Sequence, residues 1–188
     1  MTPGAFRHAP NLLSALRLLA APFAAWLIWG GHDTAALLVF AACGVSDAAD
    51  GWLARTYGFT SALGAWLDSA ADKLLMLLCF TALFAVGATP AWLLGLVVAR
   101  DAAIAGGWLV VKAAGLSFQP RALMAGKLST AAQIGYILLV LALLAFGIAA
   151  PWLMDVAAAV TGLLTVASGL AYAGLFLRSS VWGNRSPS

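Results

Sequence analysis

Charge is scarce in this sequence, and one acidic residue type is missing. Among 188 residues there are 10 Lys and Arg and seven acids, all of them Asp, with no Glu. Charged residues make up 9% of the chain, against about 25% in an ordinary soluble domain. Hydrophobic residues make up 63%, and the mean hydropathy is +0.97. A domain of this size leaves much of its surface exposed, so it could not hide that much apolar surface from water. The composition excludes a soluble globular domain, a disordered chain and a nucleic-acid-binding module. Cysteine is also sparse. Cys43 and Cys79 both lie within apolar stretches and are read as small buried hydrophobes, neither a disulfide nor a metal pair.

An integral membrane protein remains. A spanning helix takes about 20 mostly apolar residues. Six such runs are separated by Gly, Pro and Asp clusters: 12–29, 34–55, 61–86, 91–114, 122–146 and 152–177. Their lengths favour helices over barrel strands, which run to about 9–11 residues with alternating polarity. The expectation is an all-α, polytopic protein with six transmembrane helices forming a single membrane domain over residues 1–188. Residues 1–10 are expected to form a cytoplasmic N-terminal segment and 178–188 a cytoplasmic tail. No small-x-small cleavage site follows the first apolar run, so an uncleaved first span is expected.

Arg7, Arg55, Lys73, Lys112, Arg121, Lys127, Arg178 and Arg185 fall at or near the membrane side that holds the termini. The three opposite connections contain neither Lys nor Arg. The positive-inside rule puts both termini in the cytoplasm. Trp26, Trp29, Trp92 and Trp152 cluster at the other side as an interfacial belt, and Trp182 is placed to anchor the inner one.

The seven Asp residues carry most of the information. Asp33 and Asp155 read as solvated helix-end residues. Asp101 follows Arg100 inside the fourth run. The other four, Asp47, Asp50, Asp68 and Asp72, lie on the expected cytoplasmic halves of the second and third runs. Asp47 and Asp50 are i,i+3, and Asp68 and Asp72 are i,i+4, so each pair shares one helix face. A short turn makes the two helices antiparallel neighbours, so the faces can meet. Four carboxylates in a membrane segment need counter-charge. Oxygen-only ligands select hard divalent cations, Mg²⁺ or Mn²⁺. Enough carboxylates for two ions suits displacement at phosphorus. Gly51 and Ala54 share the Asp47/Asp50 face, and Gly64 lies one turn before Asp68, so a ligand could approach the backbone closely. Arg55 adds a fixed positive charge suited to a diphosphate.

Residues 47–72 thus read Asp-x2-Asp-Gly-x2-Ala-Arg-x8-Gly-x3-Asp-x3-Asp. This resembles the signature of the CDP-alcohol phosphatidyltransferase family at every fixed position. Pro10-Asn11-Leu12-Leu13-Ser14-x2-Arg17-x4-Pro22 is similar to that family's entry into its first span, and Gly126-Lys127-x2-Thr130-x2-Gln133 to its fifth-span motif. Ser69 departs from the Pro that commonly follows the third Asp. The resemblance implies transfer of a phosphatidyl group from CDP-diacylglycerol to an alcohol, with release of CMP, in a six-helix membrane fold that is often a homodimer. It implies Asp47, Asp50, Asp68 and Asp72 as ligands of two divalent cations, with Asp72 also the base for the acceptor hydroxyl. It implies Asp47, Asp50, Gly51, Ala54, Arg55, Gly64 and Asp68 as the site for the cytidine diphosphate group.

Two acceptors remain open. Arg100-Asp101 with Lys112 resembles the cardiolipin synthases, which use phosphatidylglycerol. Gly126 in place of Ser resembles the phosphatidylglycerophosphate synthases, which use glycerol 3-phosphate. Arg100, Lys127, Arg17 and Arg121 are candidate acceptor-binding cations. Alternatively, Arg100 pairs with Asp101, and Lys112 and Arg121 snorkel to headgroups. A membrane prenyltransferase also binds diphosphate through Asp-rich helices but lacks the Asp-Gly-x2-Ala-Arg spacing. A small cation transporter would spread its ionisable residues through the bilayer depth, whereas these four acids crowd to one side.

Overall fold

A computed structural model of the chain describes the backbone of residues 9–57, 62–113 and 123–182, and side chains within 16–47, 70–113 and 123–176. The described residues form six helices: α1 (Ala9–Trp29), α2 (Asp33–Tyr57), α3 (Ala62–Ala85), α4 (Ala91–Ala113), α5 (Met124–Ala145) and α6 (Pro151–Trp182). These are the six apolar runs of the sequence. The largest difference is at α6, which continues past Arg178 into the segment expected to be a tail.

Three helix ends share one device. Gly31, Gly87 and Gly147 have φ of +70°, +76° and +64°. At each, the glycine N–H bonds three residues back and the next N–H five residues back: Gly31 to Ile28 and His32 to Leu27, Gly87 to Phe84 and Ala88 to Leu83, Gly147 to Leu144 and Ile148 to Leu143. This left-handed cap satisfies helix-end carbonyls that would otherwise be orphaned, and glycine adopts it without a Cβ penalty. It turns the chain after α1, α3 and α5. Pro151 begins α6, where its missing N–H costs no helix bond. Pro22 lies inside α1, which nonetheless stays one helix.

Among the described residues, three segments are long and apolar enough to cross a membrane: Ala91–Val110, Met124–Ala145 and Pro151–Phe176. In α1 the described apolar stretch is the shorter Leu16–Trp29. Large apolar side chains stand exposed along these helices, among them Leu19, Leu109, Leu163 and Leu170. Trp26, Trp29, Trp92 and Trp152 are all exposed, as an interfacial belt requires.

The chain divides into two compact units. The first holds α1, α2, α3 and the C-terminal part of α5; the second holds α4, the N-terminal part of α5, and α6. In the first, α1 packs on both α2 and α3. Its buried face carries Arg17, Ala21, Ala24 and Ile28 at helical spacing. The small Ala21 and Ala24 allow close helix approach. On α2 the buried stripe is Ala36, Phe40 and Cys43, and the next step along it is Asp47. On α3 the core residues Leu83, Cys79 and Leu75 lead back to Asp72 in the same way. Both cysteines are buried with free thiols.

The second unit has a more polar interior. Thr161, Thr165 and Ser168 of α6, Ser129 and Gln133 of α5, and Arg100 of α4 all face inward. Gln133 Nε2 donates to Thr165 Oγ1 (3.2 Å) and Ser129 Oγ (3.4 Å), and Thr165 Oγ1 donates to the Thr161 carbonyl at 2.8 Å. Thr165→Val keeps the shape but removes Gln133's better acceptor. It is expected to cost about 1 kcal/mol. In a chain of this size that lowers the melting temperature by about 3 °C. Thermal unfolding in detergent checks this, and an unchanged midpoint would assign the cluster no stabilising role.

Candidate active site

The backbone places all four signature acids on helices, Asp47 and Asp50 on α2, Asp68 and Asp72 on α3. Both helices stay unbroken through the motif, including at Ser69. The side chains of Asp50, Ala54, Arg55 and Asp68 and the surroundings of Gly51 and Gly64 lie outside the described residues, as do Arg7, Arg121 and Arg185 entirely and the side chains of Arg178 and Trp182. Among the described residues, no three His, Cys, Asp or Glu side chains gather closely enough to hold a metal. The described part of the acid cluster is Asp47 and Asp72.

Those two carboxylates, 25 residues apart in sequence, converge on a single nitrogen. Arg17 Nη1 donates to Asp47 Oδ1 at 2.9 Å and to Asp72 Oδ1 at 2.8 Å. Among the described residues the two acids are linked through α1, whose Arg17 supplies the cation that Asp47 of α2 and Asp72 of α3 share. The Arg17 side chain is 2% exposed and each carboxylate 41%. The site has a closed, cationic side toward α1 and an open side at the acids. Two carboxylate oxygens already sharing one cation form a donor set that fits a hard divalent ion.

Among the candidate acceptor-binding residues, Arg17 is thus engaged by the acids. Arg100 is engaged as well. Its Nη1 donates to Asp101 Oδ1 at 2.7 Å, its Nη2 to Ser168 Oγ at 2.8 Å, and its guanidinium lies 5.9 Å from the Tyr172 ring centroid. Asp101 is therefore the local counter-ion of a largely buried arginine. Lys112 lies 4.9 Å from the Trp108 ring centroid and is exposed, the posture of a cation at an interface. Lys127 is exposed in the first turn of α5. Asp33 opens α2, where an acid suits the helix dipole, and Asp155 is exposed.

Gly126 has a packing cause that the sequence did not reveal. A Cβ there would lie 2.9 Å from Tyr172 Oη and 3.1 Å from its Cε2. Glycine at this position therefore accommodates the Tyr172 ring, and it loses weight as a marker of the acceptor. Gly126→Ser is expected to lower thermal stability and activity together, and Gly126→Ser/Tyr172→Phe to recover part of both. Equal loss in the single and double variants would refute the Tyr172 explanation.

Comparison with known proteins gives a consistent picture. The sequence model of the CDP-alcohol phosphatidyltransferase family matches residues 7–168. A cardiolipin synthase (CMP-forming) of Streptomyces coelicolor is 44% identical over 99 residues, covering 50% of this chain and 46% of that protein. The chloroplastic CDP-diacylglycerol–glycerol-3-phosphate 3-phosphatidyltransferase 1 of rice is 35% identical over 114 residues, covering 61% and 35%. A probable phosphatidylglycerophosphate synthase of Mycobacterium tuberculosis is 34% identical over 174 residues, covering 89% and 81%. The chain spans only about a third to a half of the length of the first two relatives.

Proposed function

The chain belongs to the CDP-alcohol phosphatidyltransferase family, and from that premise we propose that it transfers the phosphatidyl group of CDP-diacylglycerol to phosphatidylglycerol, forming cardiolipin and releasing CMP. The observation that carries the reading is the convergence of Asp47 and Asp72, from two helices, on one cation. The complete signature around them supports it. Asp47, Asp50, Asp68 and Asp72 would hold two divalent cations, Mg²⁺ or Mn²⁺. Bound there, such ions neutralise the oxygens of a diphosphate and the charge of the departing CMP. Asp47, Asp50, Gly51, Ala54, Arg55, Gly64 and Asp68 would bind the cytidine diphosphate group.

In this reading Asp72 accepts the proton of the acceptor hydroxyl. The hydroxyl oxygen forms a bond to the phosphorus that carries diacylglycerol. The bond from that phosphorus to the bridging oxygen breaks, and CMP leaves with the electron pair. Aspartate is a weak base, so it serves a hydroxyl that is already positioned. Arg100, Lys127 and Arg121 are the proposed acceptor-binding cations, whereas Arg17, buried and shared by Asp47 and Asp72, is assigned to the acids. Lys127 has the strongest support, because an exposed cation in a helix's first turn adds to a dipole that already attracts anions. Six spans, cytoplasmic termini, a cytoplasm-facing site and a homodimer complete the proposal.

Glycerol 3-phosphate is the second reading of the acceptor, favoured by the 174-residue match to a probable phosphatidylglycerophosphate synthase. Cardiolipin synthase is favoured by Arg100-Asp101, which is a formed ion pair, and by the relative with 44% identity. Incubation of the purified protein with CDP-diacylglycerol, Mg²⁺ and each alcohol separately distinguishes them by the lipid product.

A further inference from the structure

The Arg17 arrangement has an asymmetry that bears on metal binding. The guanidinium is buried on the α1 face, whereas both carboxylates remain partly open. Burying a charge costs several kcal/mol unless oppositely charged partners compensate it. Arg17 therefore stays inside because Asp47 and Asp72 face it. Equally, two carboxylates that share one nitrogen are close enough to repel each other, and Arg17 offsets that repulsion. A divalent cation held by Asp47 and Asp72 would draw on the same two oxygen-bearing groups from their open side.

We propose that Arg17 is the built-in counter-charge of the acid site: a positioning residue that holds Asp47 and Asp72 together from the buried side and competes with divalent cations for them. The proposal rests on the reading of these acids as metal ligands. Its consequence is that the protein keeps its α1–α2–α3 geometry before an ion binds, at the cost of weaker ion binding. Arginine suits the task because its charge persists at any working pH and its planar head can reach two acids at once.

The test is Mn²⁺ binding, followed by electron paramagnetic resonance on the full chain in detergent, together with thermal unfolding in EDTA and in Mn²⁺. Arg17→Gln removes the competing charge. It is expected to bind Mn²⁺ about tenfold more tightly than the unsubstituted protein, since a unit charge a few ångströms away in a partly screened site is worth at least that factor. It is also expected to unfold at a lower temperature in EDTA and to regain most of the difference in Mn²⁺. A purely structural role for Arg17 would lower stability under both conditions and leave affinity unchanged or weaker; that result overturns the proposal.

Arg17→Lys keeps the charge but loses the fork, and its Mn²⁺ affinity is expected between the other two. If Arg17→Gln is not recovered folded, the lysine variant decides, with tighter binding supporting the proposal and unchanged or weaker binding overturning it. Failure of the unsubstituted protein to bind Mn²⁺ would instead overturn the metal-site reading itself, and this proposal with it.

Discussion

Asp72→Asn is expected to reduce CMP release from CDP-diacylglycerol by about 10²–10⁴-fold, the range lost when a positioned proton acceptor is removed. The amide has nearly the shape of the carboxylate but cannot take the hydroxyl proton. Its oxygen can still accept the hydrogen bond from Arg17 Nη1, so the contact between α1 and α3 persists. The loss should therefore appear in turnover, with a melting temperature within a few degrees of the unsubstituted protein. Asp155→Asn, at an exposed acid on α6, is the matched control and should keep turnover within about twofold, the small effect usual for surface substitutions. Near-normal CMP release by Asp72→Asn would remove Asp72 as the base.

Stripping divalent cations with EDTA is expected to abolish turnover, and Mg²⁺ or Mn²⁺ to restore it. Four Asp side chains within 26 residues offer only hard oxygen donors, and the proposed substrate brings a diphosphate of the same sign. Arg17, shared by Asp47 and Asp72, and Arg55, assigned to the diphosphate, carry one positive charge each. Four carboxylates together with a diphosphate carry more negative charge than these two offset, and divalent cations from solution would supply the balance. The readout is the rate of CMP release after chelation and after re-addition of each ion. Undiminished turnover in EDTA would refute the metal requirement, and phosphatidyl transfer would then have to proceed through protein side chains alone.

The helices were legible because the signals are local. Apolar runs end at Gly30-Gly31, Gly87 and Gly147, and the caps at those sites are formed by neighbouring residues. The helix of α6 runs on to Trp182, about one turn past Arg178, where the polar residues begin. The sharing of a face by Asp47 and Asp50, and by Asp68 and Asp72, is legible from helical spacing, which allows the two faces to meet without saying which acids do.

What the sequence could not show depends on a third helix. Arg17 reads in the sequence as a candidate cation for the acceptor; it lies 30 residues from Asp47 and 55 from Asp72, and no local pattern ties it to either. Its spacing from Ala21, Ala24 and Ile28 placed it on the buried face of α1, a signal that could have redirected it toward the acids. Gly126 was legible as a departure from Ser, but Tyr172 on α6 explains it, and that neighbour lies 46 residues away. Asp101 is settled by adjacency, since Arg100 beside it needs an anion once buried.

The central claim is phosphatidyl transfer, and its most direct measurement uses CDP-diacylglycerol labelled in the cytidine. The purified protein in detergent with Mg²⁺ should release labelled CMP when phosphatidylglycerol is supplied, with cardiolipin formed in equal amount and little release when no alcohol is present. Release that depends on glycerol 3-phosphate would keep the chemistry and change the acceptor. No CMP release with any alcohol would contradict the account.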